Sequence, residues 1–284
     1  MAANKPGKTE ILATFFDDGA YTPLFAEGAV SAAYGSASGQ TVYAVFQNGE
    51  PVGVQDIEKT IRVLELAAEI GCPAVTFYNS TGAKLEAGLE LLNANSRLTA
   101  QIARISGVVP QVAVVVGTCA GTSAVQAAAA DVCVMAKDAE LFLNAPFNAS
   151  DKVKDAGSAD FAARAGVAAI VAEDALHAAK QAAQVVALLP ANNLSLPVLF
   201  ESAAPKGTLN PAAYKAAEAA AAVADEGSLV GCTPATAATC LWRWAPSTAT
   251  RWASLPPRRT ACATPAWPRP PALCACAMRT ACPS

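Results

Sequence analysis

The chain predicts an α/β fold, and three features of the sequence carry that prediction. Short apolar runs of strand length alternate with helical stripes several times over. Small-residue turns join two of those strands to the helix that follows. A hydrophobic content of 53% over 284 residues is ample for a sizeable buried core.

Taken in order, Ser38-Gly39 is a turn signal and Val42 to Phe46 alternates as a strand, which together predict a hairpin. From Asp56, read as an N-cap, the residues Ile57, Ile61, Val63, Leu64, Leu66 and Ala67 form a helical stripe that ends at Gly71. Ala74 to Tyr78 is a short apolar strand. Lys84 to about Ile105 is an amphipathic helix whose inner side is assigned to Leu85, Leu89, Leu92, Leu98 and Ile102. Val112 to Val116 is a buried strand, Ala120 to Ala129 a small-residue helix, and Val132 to Met135 another strand. Leu141 to Leu143 is expected to pair with its neighbour, and a loop around Pro146 follows. Val167 to Val171 and Glu173 to Leu188 form one more strand-helix unit. Leu189 to Asn193, followed by Pro197, reads as a domain boundary, and Pro211 to about Val223 as an Ala-rich helix.

Apolar stretches such as Val112 to Val116 and Val167 to Ala172 are far short of the roughly 20 residues that a membrane span needs. The N-terminus from Met1 to Thr9 lacks the apolar core of a secretory signal, so the expected location is the cytoplasm.

Composition breaks sharply after Gly231. Cys72, Cys119 and Cys133 precede the break, whereas Cys232, Cys240, Cys262, Cys274, Cys276 and Cys282 follow it, with all four tryptophans. No Asp or Glu occurs after Glu226 but six arginines do, so the tail carries +6 and the body 14 − 23 = −9. A zinc module would want paired Cys-x-x-Cys or Cys/His sets, and the tail has only Cys274 and Cys276 close together and no His. Interleaved Arg and Trp could stack on single-stranded nucleic acid, yet no periodicity presents them, and no nucleic-acid partner is expected. A slipped coding frame accounts for all of these features. Read two nucleotides later, the codons of Ala275 to Ser284 permit Val-Arg-Asp-Ala-Tyr-Gly-Leu-Pro-Ile, and Trp252-Ala253 forces a glycine. The expected organisation is therefore residues 1–195 as one folded unit, 196–231 as a linker and the start of a second, and 232–284 as a frameshifted, disordered tail.

Two strand-to-helix turns offer chemistry. They are Asn79-Ser80-Thr81-Gly82-Ala83-Lys84 and Gly117-Thr118-Cys119-Ala120-Gly121-Thr122. Backbone N–H groups at such helix starts suit an anion, or a carbonyl oxygen becoming one, so two adjacent turns could form an oxyanion hole. The same small residues could instead serve only close helix-strand packing. Cys119 has no His nearby in sequence and reads as a small buried residue. His177, the single histidine, reads as a surface or boundary residue, and Glu173 and Asp174 as first-turn charges. No metal site is expected.

At these turns the sequence resembles the carboxyltransferase branch of the crotonase superfamily, found in biotin-dependent acetyl-CoA and propionyl-CoA carboxylases and in glutaconyl-CoA and methylmalonyl-CoA decarboxylases. The resemblance runs from the strand pair around Gly35 to Gln47, through the helix from Asp56, to Ser106-Gly107-Val108-Val109-Pro110-Gln111. It continues through Cys119-Ala120-Gly121, Met135 to Asp138 and Val171-Ala172-Glu173-Asp174, and reaches Leu189 to Asn193, where the family's first half ends. It implies a crotonase-like spiral of repeated ββα units, with two halves from different subunits facing each other across the site. It also implies that the first half binds the acyl-CoA thioester and holds its oxygen as an enolate with amides of Gly82 or Ala83 and of Ala120 or Gly121, with Gly117, Thr118 and Cys119 on the CoA side. The cofactor is biotin on a partner carrier. It brings the carboxyl group and, once decarboxylated, the base for the α-proton, which explains a site without a catalytic histidine.

Implied partners are the biotin carboxyl carrier and the other carboxylase or decarboxylase subunits, with a homo-oligomer for the intact protein and a role such as fatty acid metabolism. The chain departs from the family's usual Asp-Ser-Gly-Gly-Ala-Arg at Asn79, Thr81 and Lys84, and from Cys-Ala-Gly-Gly at Thr122. A β-branched residue does not adopt positive φ cheaply, so Thr81 and Thr122 are expected to alter the turns. The alternative is thus a catalytically silent CoA-binding or scaffold subunit, and the chain alone, lacking a second half, is expected to be inactive. A crotonase-type hydratase or isomerase would want a pair of acidic residues on these turns, and none can be placed there.

Overall fold

A computed structural model describes residues 6–145 and 155–196. The loop around Pro146, the expected helix from Pro211, the linker and the tail lie outside the described residues.

The described chain runs α1 (Lys8–Phe15), β1 (Tyr21–Phe25), β2 (Val30–Ala37), β3 (Gln40–Gln47), α2 (Val54–Ile70), β4 (Ala74–Tyr78), α3 (Gly88–Ile105) and β5 (Gln111–Val115). It continues with β6 (Thr118–Ala120), α4 (Thr122–Ala129), β7 (Val132–Ala136), β8 (Glu140–Phe142), α5 (Ala159–Arg164), β9 (Ile170–Ala172) and α6 (Ala175–Leu188). Seven strands form one sheet in the order β1-β2-β3-β4-β5-β7-β9. The first three are antiparallel, and every pairing from β3 onward is parallel. The predicted α/β class holds.

The hairpin between β2 and β3 closes through Ser38-Gly39 with Ala37 opposite Gln40. Both turn residues carry positive φ, 52° and 77°, the geometry whose twist matches that of the strands. Alternation in β3 then divides the core into two layers. Val42, Ala44 and Phe46 join Ile11, Leu12 and Phe15 of α1 and the alanines of α6. Tyr43 and Val45 meet Ile57, Ile61 and Leu64 of α2 and Leu91, Leu98 and Ile102 of α3. The sheet is therefore covered on both faces, as parallel strands require.

The structure corrects several sequence expectations. Helix α2 is capped at Gly53, and Asp56 is its third helical residue, whose carboxylate reaches back to accept from Gly53 N–H at 3.0 Å. Its other end is as expected, with Gly71 left-handed at φ 76°. Helix α3 begins at Gly88 after a 3-10 turn over Leu85–Ala87, and it buries Leu91, Ala94, Leu98, Ile102 and Ile105. Leu89 and Leu92, assigned to the inner side, are 84% and 69% exposed. At about 100° per residue Leu89 lies opposite Leu98, whereas Leu91 shares its face.

Residues Thr118–Ala120, expected as the turn leading into a helix from Ala120, instead form a short strand that pairs in parallel with β8. The segment around Leu141 thus joins a second, two-stranded sheet rather than β7. The last strand covers Ile170–Ala172, later than expected, and Asp174 caps α6 by accepting from His177 N–H. Helices α1 and α5 and strand β1 were not expected from the sequence.

Candidate functional site

Strands β3, β4 and β5 run parallel, so their C-terminal ends share one edge of the sheet, the edge where α/β folds gather ligand-binding turns. Both small-residue turns leave from that edge; one hydrogen bond joins them and another ties the first to the segment after β3. Ser80 N–H donates to Thr118 carbonyl at 2.9 Å, and Gly49 N–H donates to Asn79 carbonyl at 2.9 Å. Gly117 lies under the Asn79 side chain so closely that a Cβ there would fall 2.0 Å from Asn79 Oδ1. A side chain at that position would force the Asn79 side chain to move.

Of the four candidate amides, two are occupied. Gly82 N–H donates to Ser80 Oγ at 3.1 Å, and the same hydroxyl lies 2.9 Å from the Glu50 carbonyl oxygen. Gly121 N–H donates to Phe142 carbonyl at 3.0 Å. The other two point elsewhere. Val52 N–H donates to Gly82 carbonyl and Lys84 N–H to Val52 carbonyl, both at 2.9 Å, which uses the groups on either side of Ala83. In the β6-β8 ladder alternate residues face the partner strand, and Glu140 N–H donating to Gly117 carbonyl sets that phase. Ala120 therefore faces away from β8, on the side where Thr118 carbonyl accepts from Ser80. Among the described residues Ala83 N–H has no partner, and Ala120 N–H has none in the β6-β8 ladder.

Neither Thr81 nor Thr122 carries positive φ. Positive φ falls on Gly82 at 126° and Gly121 at 61°, and the described non-glycine residues with positive φ are Asp18 and Ser38. Thr122 is simply the first residue of α4. Neither threonine therefore carries the positive-φ strain that a β-branched residue would suffer there.

Cys119 is completely buried, on the core side of β6. Burial first and Cys133 second push its thiol far above the usual range, and burial pushes Cys133 up to about 12. Neither thiol ionises near neutral pH, so Cys119 contributes packing and no nucleophile. Thr118 is partly exposed, and its carbonyl links the two turns. His177 is exposed with its Nδ1 2.9 Å from Asp174 Oδ2, in the cap of α6. The His177 backbone N–H, followed by its ring, holds the Asp174 carboxyl below its ordinary value. No group of three or more His, Cys, Asp or Glu among the described residues could hold a metal.

Sequence reasoning named the two turns but did not foresee Ser80 and Val52, which occupy the flanking groups. Ser80 stood inside a quoted motif. Val52 gave no signal, because its role is purely that of a backbone donor and acceptor.

Comparison with known proteins converges on one family. The profile described as the carboxyl transferase domain matches residues 8–246. The methylmalonyl-CoA carboxyltransferase 12S subunit of Propionibacterium freudenreichii subsp. shermanii is 31% identical over 170 residues, 56% of this chain and 32% of that protein. The propionyl-CoA carboxylase beta chain of Rhodococcus erythropolis is 30% identical over 191 residues, 63% of this chain and 40% of that one. The chain thus spans about a third to two fifths of the length of these curated relatives. A crystal structure of transcarboxylase 12S, described as a hexamer with hydrolysed methylmalonyl-coenzyme A bound, superposes with a TM-score of 0.64 at 24% identity, covering 73% of this chain and 46% of that one. That likeness shows the crotonase-like fold. No described helix is long and apolar enough to cross a membrane.

Proposed function

This chain belongs to the carboxyl transferase domain family, and from that premise we propose that it forms the acyl-CoA half of a carboxyl-transfer site, with the Ala83 and Ala120 amides as its oxyanion hole. The supporting observation is a pair of N–H groups, that of Ala83 unpartnered and that of Ala120 outside the β6-β8 ladder, on two turns tied together by the Ser80–Thr118 bond. An enolate oxygen carries the charge that such preorganised donors stabilise, and mutagenesis elsewhere puts one such donor at about 3 kcal/mol of transition-state stabilisation. Gly82 and Gly121 hold the donors in place and do not donate to substrate themselves.

The relatives are named for propionyl-CoA and methylmalonyl-CoA, which supports a short acyl-CoA as substrate. Biotin on a partner carrier would supply the carboxyl group and the base for the α-proton. A donor set of neutral amides, with no side-chain base on either turn apart from the half-exposed Lys84, fits a reaction whose base arrives with the cofactor. Partners in this reading are the biotin carboxyl carrier and a second carboxyltransferase half. We also propose that the coding frame slips after Gly231, so that the residues from Cys232 onward stand in place of that half.

The assay is carboxyl exchange between biotin and acetyl-, propionyl-, malonyl- or glutaconyl-CoA, run beside direct binding of each ester. Transfer after the frame is restored supports the enzyme. Binding without transfer supports a silent CoA-binding subunit, and the absence of both overturns the proposal.

A further inference from the structure

Behind the first turn lies a buried carboxylate that the proposed chemistry does not use. Asp56 is only 5% exposed, yet its carboxylate meets three groups, two from α2 and its cap and one from the first turn. Oδ2 accepts from Gly53 N–H at 3.0 Å and lies 4.0 Å from Lys84 Nζ, while Oδ1 lies 3.6 Å from Lys59 Nζ. Lys59 in turn donates to Glu27 carbonyl at 2.7 Å. The Lys84 stem runs across Gly53 so tightly that a Cβ on Gly53 would be 3.1 Å from Lys84 Cδ. Lys84 is also the residue whose N–H closes the bridge around Ala83 by donating to Val52.

We infer that Asp56 is a positioning residue that acts through Lys84, clamping the Gly82–Lys84 strap to the start of α2 and so fixing where the Ala83 amide points. The strap's other restraints are the two backbone bonds with Val52 and the Ser80 Oγ contacts to Gly82, and none of them involves the Lys84 side chain. Its backbone bridge to Val52 is isolated, and no side chain lies within 4 Å of a Cβ built on Gly82. The ammonium-carboxylate pair fastens the exposed end of the strap to a buried, already capped anchor. The inference rests on the proposed role of Ala83, but the clamp itself is visible without any ligand.

The test uses the full chain and three variants. Lys84→Met removes the clamp and leaves the Asp56 cap intact. Lys59→Met removes a cation from the same carboxylate without touching the strap, and Lys84→Arg restores a cation. In the free protein, amide hydrogen exchange at Val52 and residue 84 should quicken by about two- to fivefold in Lys84→Met, the range for a half-exposed ion pair. It should stay at the wild-type rate in Lys59→Met and return towards it in Lys84→Arg. With propionyl-CoA added, Lys84→Met should lose the ligand-induced shift at Ala83 and keep the one at Ala120. Unchanged exchange in Lys84→Met, or equal effects of Lys84→Met and Lys59→Met, overturns the clamp whatever the ligand does. If exchange responds as expected but the wild type shows no shift at either amide, the clamp stands and the proposed function fails.

Discussion

At the scale of single residues, the environment of each group decides what it can contribute. A side chain at Gly117 should displace Asn79, because an added Cβ meets Asn79 Oδ1 at 2.0 Å. We expect Gly117→Ala to lower the thermal unfolding midpoint and to disturb the Ser80–Thr118 link, whereas Gly39→Ala, in open space, should show only the backbone strain of its positive φ. The buried thiols make a second case. Cys119 and Cys133, held protonated by burial, should resist iodoacetamide at pH 8 in the folded protein and react on denaturation, as peptide mapping would show. Rapid native labelling of Cys119 would contradict its placement in the core.

Asp131 supplies a pH dependence. Burial raises its pKa, against the lowering effect of a hydrogen bond from Gln111 N–H. An acid raised in the folded state binds more protons folded than unfolded, so its effect on stability improves as pH falls from the raised value towards the ordinary one. Asp131→Asn should lack that slope. Its stability relative to wild type should be greatest near neutral pH and shrink as pH falls through the raised Asp131 value, as thermal melts across that window would show.

At the scale of elements, the sequence was most legible where one face of a segment is decided by a short repeat. The Ser38-Gly39 hairpin, strand β4 and the Gly71 end of α2 are where the alternation and the turn residues put them. Helix α3 shows the limit. Four leucines within eight residues fit more than one helical phase, and only the 3-10 entry at Leu85–Ala87 and the start at Gly88 select the stripe through Leu91. Leu91→Ala should therefore cost about 2–5 kcal/mol, while Leu89→Gln should change stability by less than about 0.5 kcal/mol. Denaturant melts of the two variants would distinguish the faces, and equal losses would contradict the assigned phase. Strand β6 was illegible for a different reason. Three residues of small and polar type carry no period, and their partner β8 lies across an intervening helix and strand. The two turns were legible as motifs, but the choice among their four amides depended on long-range bonds to Val52, Ser80 and Phe142 that no local pattern encodes.

At the scale of the whole molecule, the described residues form a seven-stranded sheet with both faces covered, a small second sheet of β6 and β8, and an edge that carries two tethered turns. A net charge of −9 before the break and +6 after it shows that the chain is not one homogeneous composition. If the frame has slipped, reading the coding DNA around Gly231 should reveal an insertion or deletion whose repair restores acidic residues downstream. An intact frame would contradict that proposal, though not the site. The site is tested most directly by following backbone amide resonances of the full chain during titration with propionyl-CoA. The account predicts saturable downfield proton shifts at Ala83 and Ala120, with Gly82 and Gly121 nearly still because Ser80 Oγ and Phe142 carbonyl already hold them. Shifts at Gly82 and Gly121 with none at Ala83 and Ala120 would contradict it.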